Sequence, residues 1–236
     1  MTTILWLPGW SFDYTIFSGI QNVFPSEVNH LHVNWQGLEE KEDVSNRVQA
    51  ILNQADGDVF AVGWSLGAIA ALEMALKAPL RVKGLALFSP TASFVKREHY
   101  ECGWDRRVVR RMQKQLTKDK QKVLDDFAAH LLMPGEETIG SLNKAVSDDS
   151  VSSLAAGLDY LSETDLRSRI TDLKLPIIIF HGIEDSICPQ EASLFIEEQA
   201  GRNINRITLD DTGHIPFMAE KQSVERELAK FYKGLA

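Results

Sequence analysis

Apolar residues recur along the chain in a pattern that predicts alternating strands and helices in two blocks. Short apolar runs predict six strands, at residues 4–7, 28–34, 59–62, 82–88, 176–180 and 204–209. Helical spacing of apolar residues predicts four helices between and after them, at residues 39–54, 68–76, 189–199 and 216–235. Strands and helices that alternate at this rhythm form a parallel sheet with helices on both faces. The pattern therefore predicts an α/β fold, with a mostly parallel, doubly wound sheet of about six strands.

Between the two blocks, residues 91–173 show no strand pattern. This stretch is charged and helix-prone, and Met133-Pro134-Gly135 interrupts it. We interpret it as a helical lid inserted above the carboxyl edge of the sheet. The predicted core is then made of residues 1–90 and 174–236, and the lid of residues 91–173.

Composition narrows the class of protein. The chain has 236 residues, 44% of them hydrophobic, and a formal net charge of −8. That length suits one α/β domain with a sizeable core, and the charge argues against nucleic acid as a partner. No leader pattern and no apolar stretch of membrane-spanning length is present, so we expect no membrane attachment. The only cysteines, Cys102 and Cys188, lack metal-site spacing and predict free thiols in the cytoplasm.

The motif Gly63-Trp64-Ser65-Leu66-Gly67 stands between a predicted strand and an alanine-rich helix. A sharp turn of this kind exposes a serine oxygen above the sheet, and its flanking glycines avoid a clash. Ser65 is therefore the candidate nucleophile. The alternative is a glycine-rich turn whose serine only caps the following helix.

A serine nucleophile needs a base and an acid that orients the base. Two later strands end in loops that contain such groups: Glu184 and Asp185 follow one strand, and His214 follows the other. The order serine, acid, histidine is the one expected for an α/β-hydrolase. His214 is the candidate base, and either carboxylate is a candidate acid. The other histidines are interpreted as structural or surface residues, namely His30, His32, His99, His130 and His181.

Backbone N–H groups supply the expected oxyanion hole. One donor is the N–H of Leu66, directly after the nucleophile, and the other is the N–H of Trp10, in the loop after the first strand. The rings of Trp10 and Trp64 either wall an acyl pocket or pack in the core.

These motifs resemble those of the α/β-hydrolases, and within them the pimeloyl-[acyl-carrier protein] methyl ester esterases of biotin biosynthesis. The resemblance covers most of the chain. It rests on Leu7-Pro8-Gly9-Trp10, the serine motif, and residues 104–127, 157–167, 181–185 and 213–217. The catalytic motifs belong to the whole superfamily, and the inserted segment points to the esterases. The resemblance implies Asp185 as the acid, no metal or organic cofactor, and hydrolysis of a methyl ester on an acyl chain carried by an acidic protein.

The chain departs from the family at three places. Pro8 stands where the family usually has histidine, which affects the surroundings of the oxyanion hole and not the triad. Ala68 replaces a second glycine after the serine motif. The hairpin that usually precedes the first strand is absent from the sequence, so we expect a sheet one or two strands short of eight.

Positive charge concentrates in the inserted segment. Residues 96–122 contain ten Lys or Arg against four Asp or Glu, in a chain of net charge −8. Helical spacing places four of the basic residues on one face: Arg107, Arg111, Lys114 and Lys118. Apolar residues face the other way: Val109, Met112 and Leu116. The basic face is a candidate docking site for an acidic acyl-carrier protein, with Phe127 lining the acyl channel; the alternative is an ordinary solvated helix face.

Other functions are compatible with the same triad. A thioesterase, a short-chain carboxylesterase acting on small esters, or the related lyase of menaquinone synthesis needs no methyl ester on a carrier. A catalytically silent hydrolase fold that only binds an acyl carrier is a further alternative. Activity on small versus carrier-bound esters, and labelling of Ser65 by a fluorophosphonate, distinguish these possibilities.

Overall fold

The computed structural model describes residues 2–133, 142 and 144–235, and these residues form a single six-stranded parallel sheet. The strands follow one another across the sheet in the order β2-β1-β3-β4-β5-β6. Their bounds are β1 Thr2–Leu7, β2 Asn29–His32, β3 Asp58–Trp64, β4 Val82–Phe88, β5 Ile177–Gly182 and β6 Ile204–Leu209. All five pairings are parallel. The predicted six-stranded, doubly wound sheet is confirmed.

The apolar runs of the sequence correspond to burial on both faces of the sheet. Every residue of β5 is buried, and so is every residue of β3 after its first. A parallel strand covered by helices on both sides has no solvent face, so its sequence does not alternate. The edge strand β2, by contrast, is only partly buried, which matches its mixture of polar and apolar residues.

Eight α-helices are defined within the described ranges. Their bounds are α1 Glu42–Gln54, α2 Leu66–Lys77, α3 Arg106–Leu116, α4 Lys120–Ala128, α5 Val151–Glu163, α6 Glu191–Ala200, α7 Pro216–Ala219 and α8 Lys221–Lys233. Helix α2 is buried along most of its length, because alanines let it lie close to the sheet. None of these helices is long and apolar enough to cross a membrane.

Residues 89–176 connect β4 to β5, and within them the inserted segment, residues 91–173, contains α3, α4 and α5. Helix α5 is fastened to the helices on the sheet, because the Tyr160 hydroxyl donates to Glu73 Oε2 at 2.9 Å. Glu73 also accepts from Ser45 of α1 and pairs with Lys77. The predicted break at Pro134-Gly135 lies outside the described residues, and the division into core and lid stays a prediction.

The closing helix predicted over residues 216–235 is two helices, so this prediction is wrong. The backbone of Glu220 (φ −111°, ψ 44°) leaves the helical conformation between α7 and α8. The two helices bury side chains in different places. Phe217 of α7 packs edge-on against Trp64 beneath the candidate site, whereas α8 buries Leu228. The change of backbone conformation at Glu220 lets each helix make its own contact.

His30 on the edge strand is part of the packing. Trp6 Nε1 donates a hydrogen bond to His30 Nδ1 at 2.9 Å, and the two rings stack at 5.9 Å between centroids. The accepting nitrogen must be unprotonated. Burial also lowers the pKa of His30.

The His30 contact predicts a loss of stability in mild acid. Because the pKa of His30 is lower in the folded than in the unfolded protein, the contribution is complete above the unfolded pKa of about 6.5 and declines as pH falls below it. We expect the free energy of unfolding, measured with urea, to fall less between pH 7.5 and 5.5 in His30→Gln than in wild type. His32 is retained in both proteins. Equal pH dependence in the two proteins would contradict this assignment.

Candidate active site

The strand register brings the chemistry to one edge of the sheet. Trp64, the last residue of β3, is paired with Phe88, the last of β4, and Phe88 is paired with Phe180 of β5. Gly182 is likewise paired with Leu209, where β5 and β6 end together. The chain segments that follow these strands therefore leave the sheet side by side. They contain Ser65, Ser89, Asp185 and His214.

Ser65 sits at the turn between β3 and α2 in a backbone conformation that residues with a side chain rarely adopt, with φ 55° and ψ −117°. Its N–H donates to Phe88 O at 3.1 Å, and its carbonyl accepts from Ala68 N at 2.9 Å. Such a conformation persists only where the surroundings impose it, and it is typical of functional sites. Here it is the strained strand-to-helix turn that the sequence motif predicts.

The two motif glycines permit this turn. A Cβ on Gly67 would lie 2.0 Å from the carbonyl oxygen of Leu7, and a Cβ on Gly63 would lie 2.6 Å from Gly67 O. Both obstacles are backbone atoms, which cannot rotate out of the way. Without side chains at these positions, the start of α2 lies directly against the end of β1.

Asp185 is held by hydrogen bonds on both carboxylate oxygens. Oδ1 accepts from the N–H groups of Ile187 at 2.9 Å and Cys188 at 2.8 Å, and Oδ2 lies 2.7 Å from His214 Nδ1. Glu184, the other candidate acid, is exposed. The structure thus brings Asp185 to His214, in agreement with the family resemblance.

Asp185 is ionised although it is buried. Burial acts to raise its pKa, but the attraction of His214 and hydrogen bonds from His181 and His214 outweigh it. The pKa of Asp185 is therefore held well below its usual range. A buried carboxylate beside an imidazole stabilises the imidazolium that forms when the base takes a proton. Burial raises the pKa of the neighbouring Cys188 thiol, so this cysteine stays protonated and unreactive.

His214 is fully buried and has one nitrogen committed to Asp185. Its Nε2 has no hydrogen-bond partner within the described ranges. Since Nδ1 donates to the carboxylate, Nε2 is the unprotonated nitrogen that can accept a proton. This is the arrangement a general base requires.

The backbone of His214 is fixed by residues that the motif search did not identify. Its carbonyl accepts from Trp64 Nε1 at 2.8 Å and from Ser89 Oγ at 3.2 Å. Its N–H donates to Leu131 O at 2.9 Å. No sequence signal marks these contacts, because each joins residues far apart along the chain. Trp64 is buried against the ring of His214. Of the two roles that the sequence left open for its indole, pocket wall or core packing, the structure shows packing, together with the hydrogen bond that positions His214.

His181, interpreted from the sequence as structural, is the last residue but one of β5 and lies beneath the acid loop. Its Nε2 donates to Cys188 O at 2.6 Å and lies 3.4 Å from Asp185 Oδ2. It thereby fixes the loop that presents Asp185. In the described part of the chain, no group of three or more His, Cys, Asp or Glu side chains is placed to bind a metal ion.

The candidate oxyanion donors lie at the start of α2 and in the loop after β1, and the second of these contacts the inserted segment. Leu66 is the first residue of α2, where backbone N–H groups have no partner within the helix. Trp10 lies in the loop after β1, and its ring contacts Phe127 of α4 edge-on with 5.0 Å between centroids. Trp10 Nε1 donates to Leu154 O of α5 at 2.9 Å. Its side chain is therefore enclosed by the inserted segment.

A cavity of about 290 Å³ opens between α3 and α4. Five of its lining residues are mainly apolar: Trp104, Val108, Met112, Val123 and Phe127. Four polar residues complete it: Arg111, Gln115, Asp126 and His130. Phe127 thus faces both this cavity and Trp10.

The predicted basic face is present on α3 with one correction. Arg107, Arg111 and Lys114 are exposed on the helix, opposite the buried Val109 and Leu116. Lys118 lies beyond the end of α3, so its placement on the same helical face is wrong. The reason is local, because Thr117 ends α3 and the side chain of Asp119 caps α4.

Comparison with known proteins agrees with this geometry. A family model described as serine aminopeptidase, S33, matches residues 36–221. The pimeloyl-[acyl-carrier protein] methyl ester esterase of Pseudoalteromonas atlantica is 25% identical over 229 residues, spanning 92% of this chain and 88% of that protein. The protein of the same name from Pectobacterium carotovorum subsp. carotovorum is 29% identical over 195 residues, spanning 80% and 75%.

Solved structures share the fold. The esterase EaEST from Exiguobacterium antarcticum superposes with a TM-score of 0.89 at 20% identity, covering 99% of this chain and 92% of that one. MenH from S. aureus superposes with a TM-score of 0.81 at 17% identity, covering 99% and 94%. At such identities the likeness shows the fold alone.

The close contact of Gly67 predicts that one added methyl group at this position strongly destabilises the protein. We expect Gly67→Ala to lower the free energy of unfolding by about 3 kcal/mol, because its Cβ meets the immobile carbonyl of Leu7. Gly19→Ala is the matched control, since its Cβ would meet only the flexible Lys221 side chain at 3.7 Å. Urea unfolding measures both. Similar midpoints for the two variants would show that the turn does not depend on this close approach.

Proposed function

This chain is an α/β-hydrolase that belongs to the serine aminopeptidase S33 family, and we propose that it hydrolyses carboxylic esters with Ser65 as nucleophile. The observation that carries the proposal is the buried Asp185–His214 pair beside a strained serine turn. Strain and a buried ion pair cost stability, and their coincidence at one edge of the sheet is typical of a catalytic site.

In the proposed reaction these groups act in turn. His214 Nε2 takes the Ser65 proton as the serine oxygen attacks the ester carbonyl. Asp185 stabilises the imidazolium, and the N–H groups of Leu66 and Trp10 hold the negative oxygen of the tetrahedral intermediate. The intermediate collapses to an acyl-enzyme as His214 returns the proton to the leaving alcohol. Water, deprotonated by His214, then attacks the acyl-enzyme and frees the carboxylate and Ser65.

For the substrate we propose the methyl ester of pimeloyl-[acyl-carrier protein], whose hydrolysis frees methanol and the pimeloyl carboxylate for biotin synthesis. Two features support it. Curated relatives with this name match most of the chain. The cavity between α3 and α4 is largely apolar, as an acyl chain requires, and Phe127 lies between it and Trp10.

The partner in this proposal is an acidic acyl-carrier protein bound at the basic face of α3. Arg107, Arg111 and Lys114 are exposed there, and Arg111 also lines the cavity. A carrier docked on these residues would have its acyl chain at the cavity mouth. We place the reaction in the cytoplasm, a proposal supported by the free thiols of Cys102 and Cys188.

The mechanism is tested by measuring ester hydrolysis in a serine variant and in two variants that each replace one carboxylate by its amide. We expect Ser65→Ala to lose activity on dimethyl pimelate and labelling by a fluorophosphonate. Asp185→Asn should lower kcat by about 10³- to 10⁴-fold, since His214 loses its charged partner. The control is Glu184→Gln, an exposed neighbouring carboxylate, for which kcat should stay within about twofold of wild type. A folded wild type that the probe does not label would indicate a silent hydrolase fold, and loss of activity in Glu184→Gln would overturn the choice of acid.

Charge reversal tests the carrier. The double variant Arg107→Glu, Lys114→Glu should lower kcat/KM on the carrier-bound methyl ester by about tenfold or more and leave dimethyl pimelate unaffected. Wild type should show the same selective loss when salt is raised, because surface charges are screened. Arg202→Glu, Lys230→Glu makes an equal charge change on exposed residues outside α3 and is the control. Equal effects of both double variants, or a wild type that prefers the small ester at every salt concentration, would leave a general carboxylesterase or another reaction on the same triad.

A further inference from the structure

The inserted segment accepts hydrogen bonds from three of the loops that make up the candidate site, those that carry the candidate oxyanion donor Trp10, the acid and the base. Trp10 Nε1 donates to Leu154 O at 2.9 Å. The backbone N–H of His214 donates to Leu131 O at 2.9 Å. Ser186 Oγ, next to the acid, donates to His130 O at 3.1 Å. In every case the acceptor is a main-chain carbonyl of the inserted segment.

Trp10 connects the oxyanion loop to two helices of this segment. Its side chain is buried between Phe127 and α5, and a Cβ on Gly157 would lie 2.8 Å from its ring. Helix α5 therefore reaches the indole only because residue 157 has no side chain. The backbone N–H of Trp10 is the proposed oxyanion donor, so the place of its ring fixes the place of that donor.

The turn after α4 connects the acid and base loops in the same way. His130 Nδ1 lies 2.7 Å from Asp126 O, which ties the turn to the end of α4, and Leu131 is fully buried. The two carbonyls of this turn accept from His214 and Ser186. Trp64 and Ser89 hold the opposite side of the same peptide chain, at the His214 carbonyl. The base is thus fixed from the sheet and from the inserted segment together.

We propose that the carbonyls of His130, Leu131 and Leu154 make the inserted segment a positioning element for the catalytic groups. This inference rests on the proposed function. Its physical basis is that a displacement of about 1 Å in a reacting group costs about a hundredfold in rate. Loops that leave a sheet have no regular partners of their own, so fixed acceptors outside the sheet restrict where they can lie.

Two conservative substitutions each remove one of the two side-chain hydrogen bonds and keep the reacting groups. Trp10→Phe keeps an aromatic ring against Phe127 and loses the donor to Leu154 O. Ser186→Ala loses the donor to His130 O, and Ser186→Thr restores a hydroxyl. The matched controls are Trp6→Phe, which loses a buried indole donor to His30 at 2.9 Å, and Ser193→Ala, which loses a hydroxyl donor to Gln190 O at 2.9 Å.

The readouts separate positioning from a general loss of folded protein. On dimethyl pimelate we expect Trp10→Phe to lower kcat by about tenfold with KM unchanged, because the oxyanion is stabilised only after attack. Affinity for a trifluoromethyl ketone, which forms the tetrahedral adduct, should fall in the same proportion. In Ser186→Ala we expect kcat to fall with KM unchanged, because Asp185 is held less well against His214, and Ser186→Thr should restore kcat. Both controls should keep wild-type values.

Each outcome decides between the two proposals. Wild-type protein that a fluorophosphonate does not label would overturn the proposed function and this inference with it. Labelled wild type, together with Trp10→Phe and Ser186→Ala variants that match their controls in kcat, would overturn the inference alone. The inference would also be overturned if the loss of kcat equalled the loss of folded protein measured by circular dichroism.

Discussion

The close approach of Gly67 to the carbonyl of Leu7 is the constraint on which the site depends. Because the start of α2 lies directly against the end of β1, no side chain fits at residue 67. The turn from β3 into α2 is therefore sharp, and Ser65 adopts a strained backbone conformation. The same contact places the first N–H groups of α2 beside the loop that carries Trp10. The positions of the candidate nucleophile and of the candidate oxyanion donors therefore depend on one backbone contact, and that contact requires glycine at residue 67.

A second constraint is electrostatic. Asp185 and His214 are both buried, where a lone charge would be unfavourable by several kcal/mol. The loop after β5 offsets this with two backbone N–H groups and with His181, whose own position is fixed by Cys188 O. Each histidine of this network keeps one ring nitrogen without a hydrogen-bond partner in the described ranges, Nδ1 in His181 and Nε2 in His214. Of these two nitrogens, His214 Nε2 belongs to the candidate base. In the proposed reaction it is the nitrogen that receives the serine proton.

The inserted segment joins the site to the surface that would meet a partner. Its α3 presents exposed cations, although the chain as a whole is acidic, and Val108 and Met112 of the same helix line the cavity. The same segment supplies main-chain acceptors to Trp10, Ser186 and His214. The proposed carrier docking and the proposed positioning contacts therefore lie on the same segment, the first on exposed side chains of α3 and the second on main-chain carbonyls.

The sequence by itself determined the strands and their order, because burial on both faces leaves continuous apolar runs. It also marked the turn at Ser65, because only glycine fits at residues 63 and 67. It placed Ser65, Asp185 and His214 at strand ends, although the choice between Asp185 and Glu184 needed a family resemblance. Only the tertiary structure decided the break at Glu220, the end of α3 before Lys118, and the positioning contacts of Trp64, Ser89 and Leu131. Local patterns record which face of an element is buried. They do not record which distant carbonyl a side chain meets, since that is set by how the elements pack on one another.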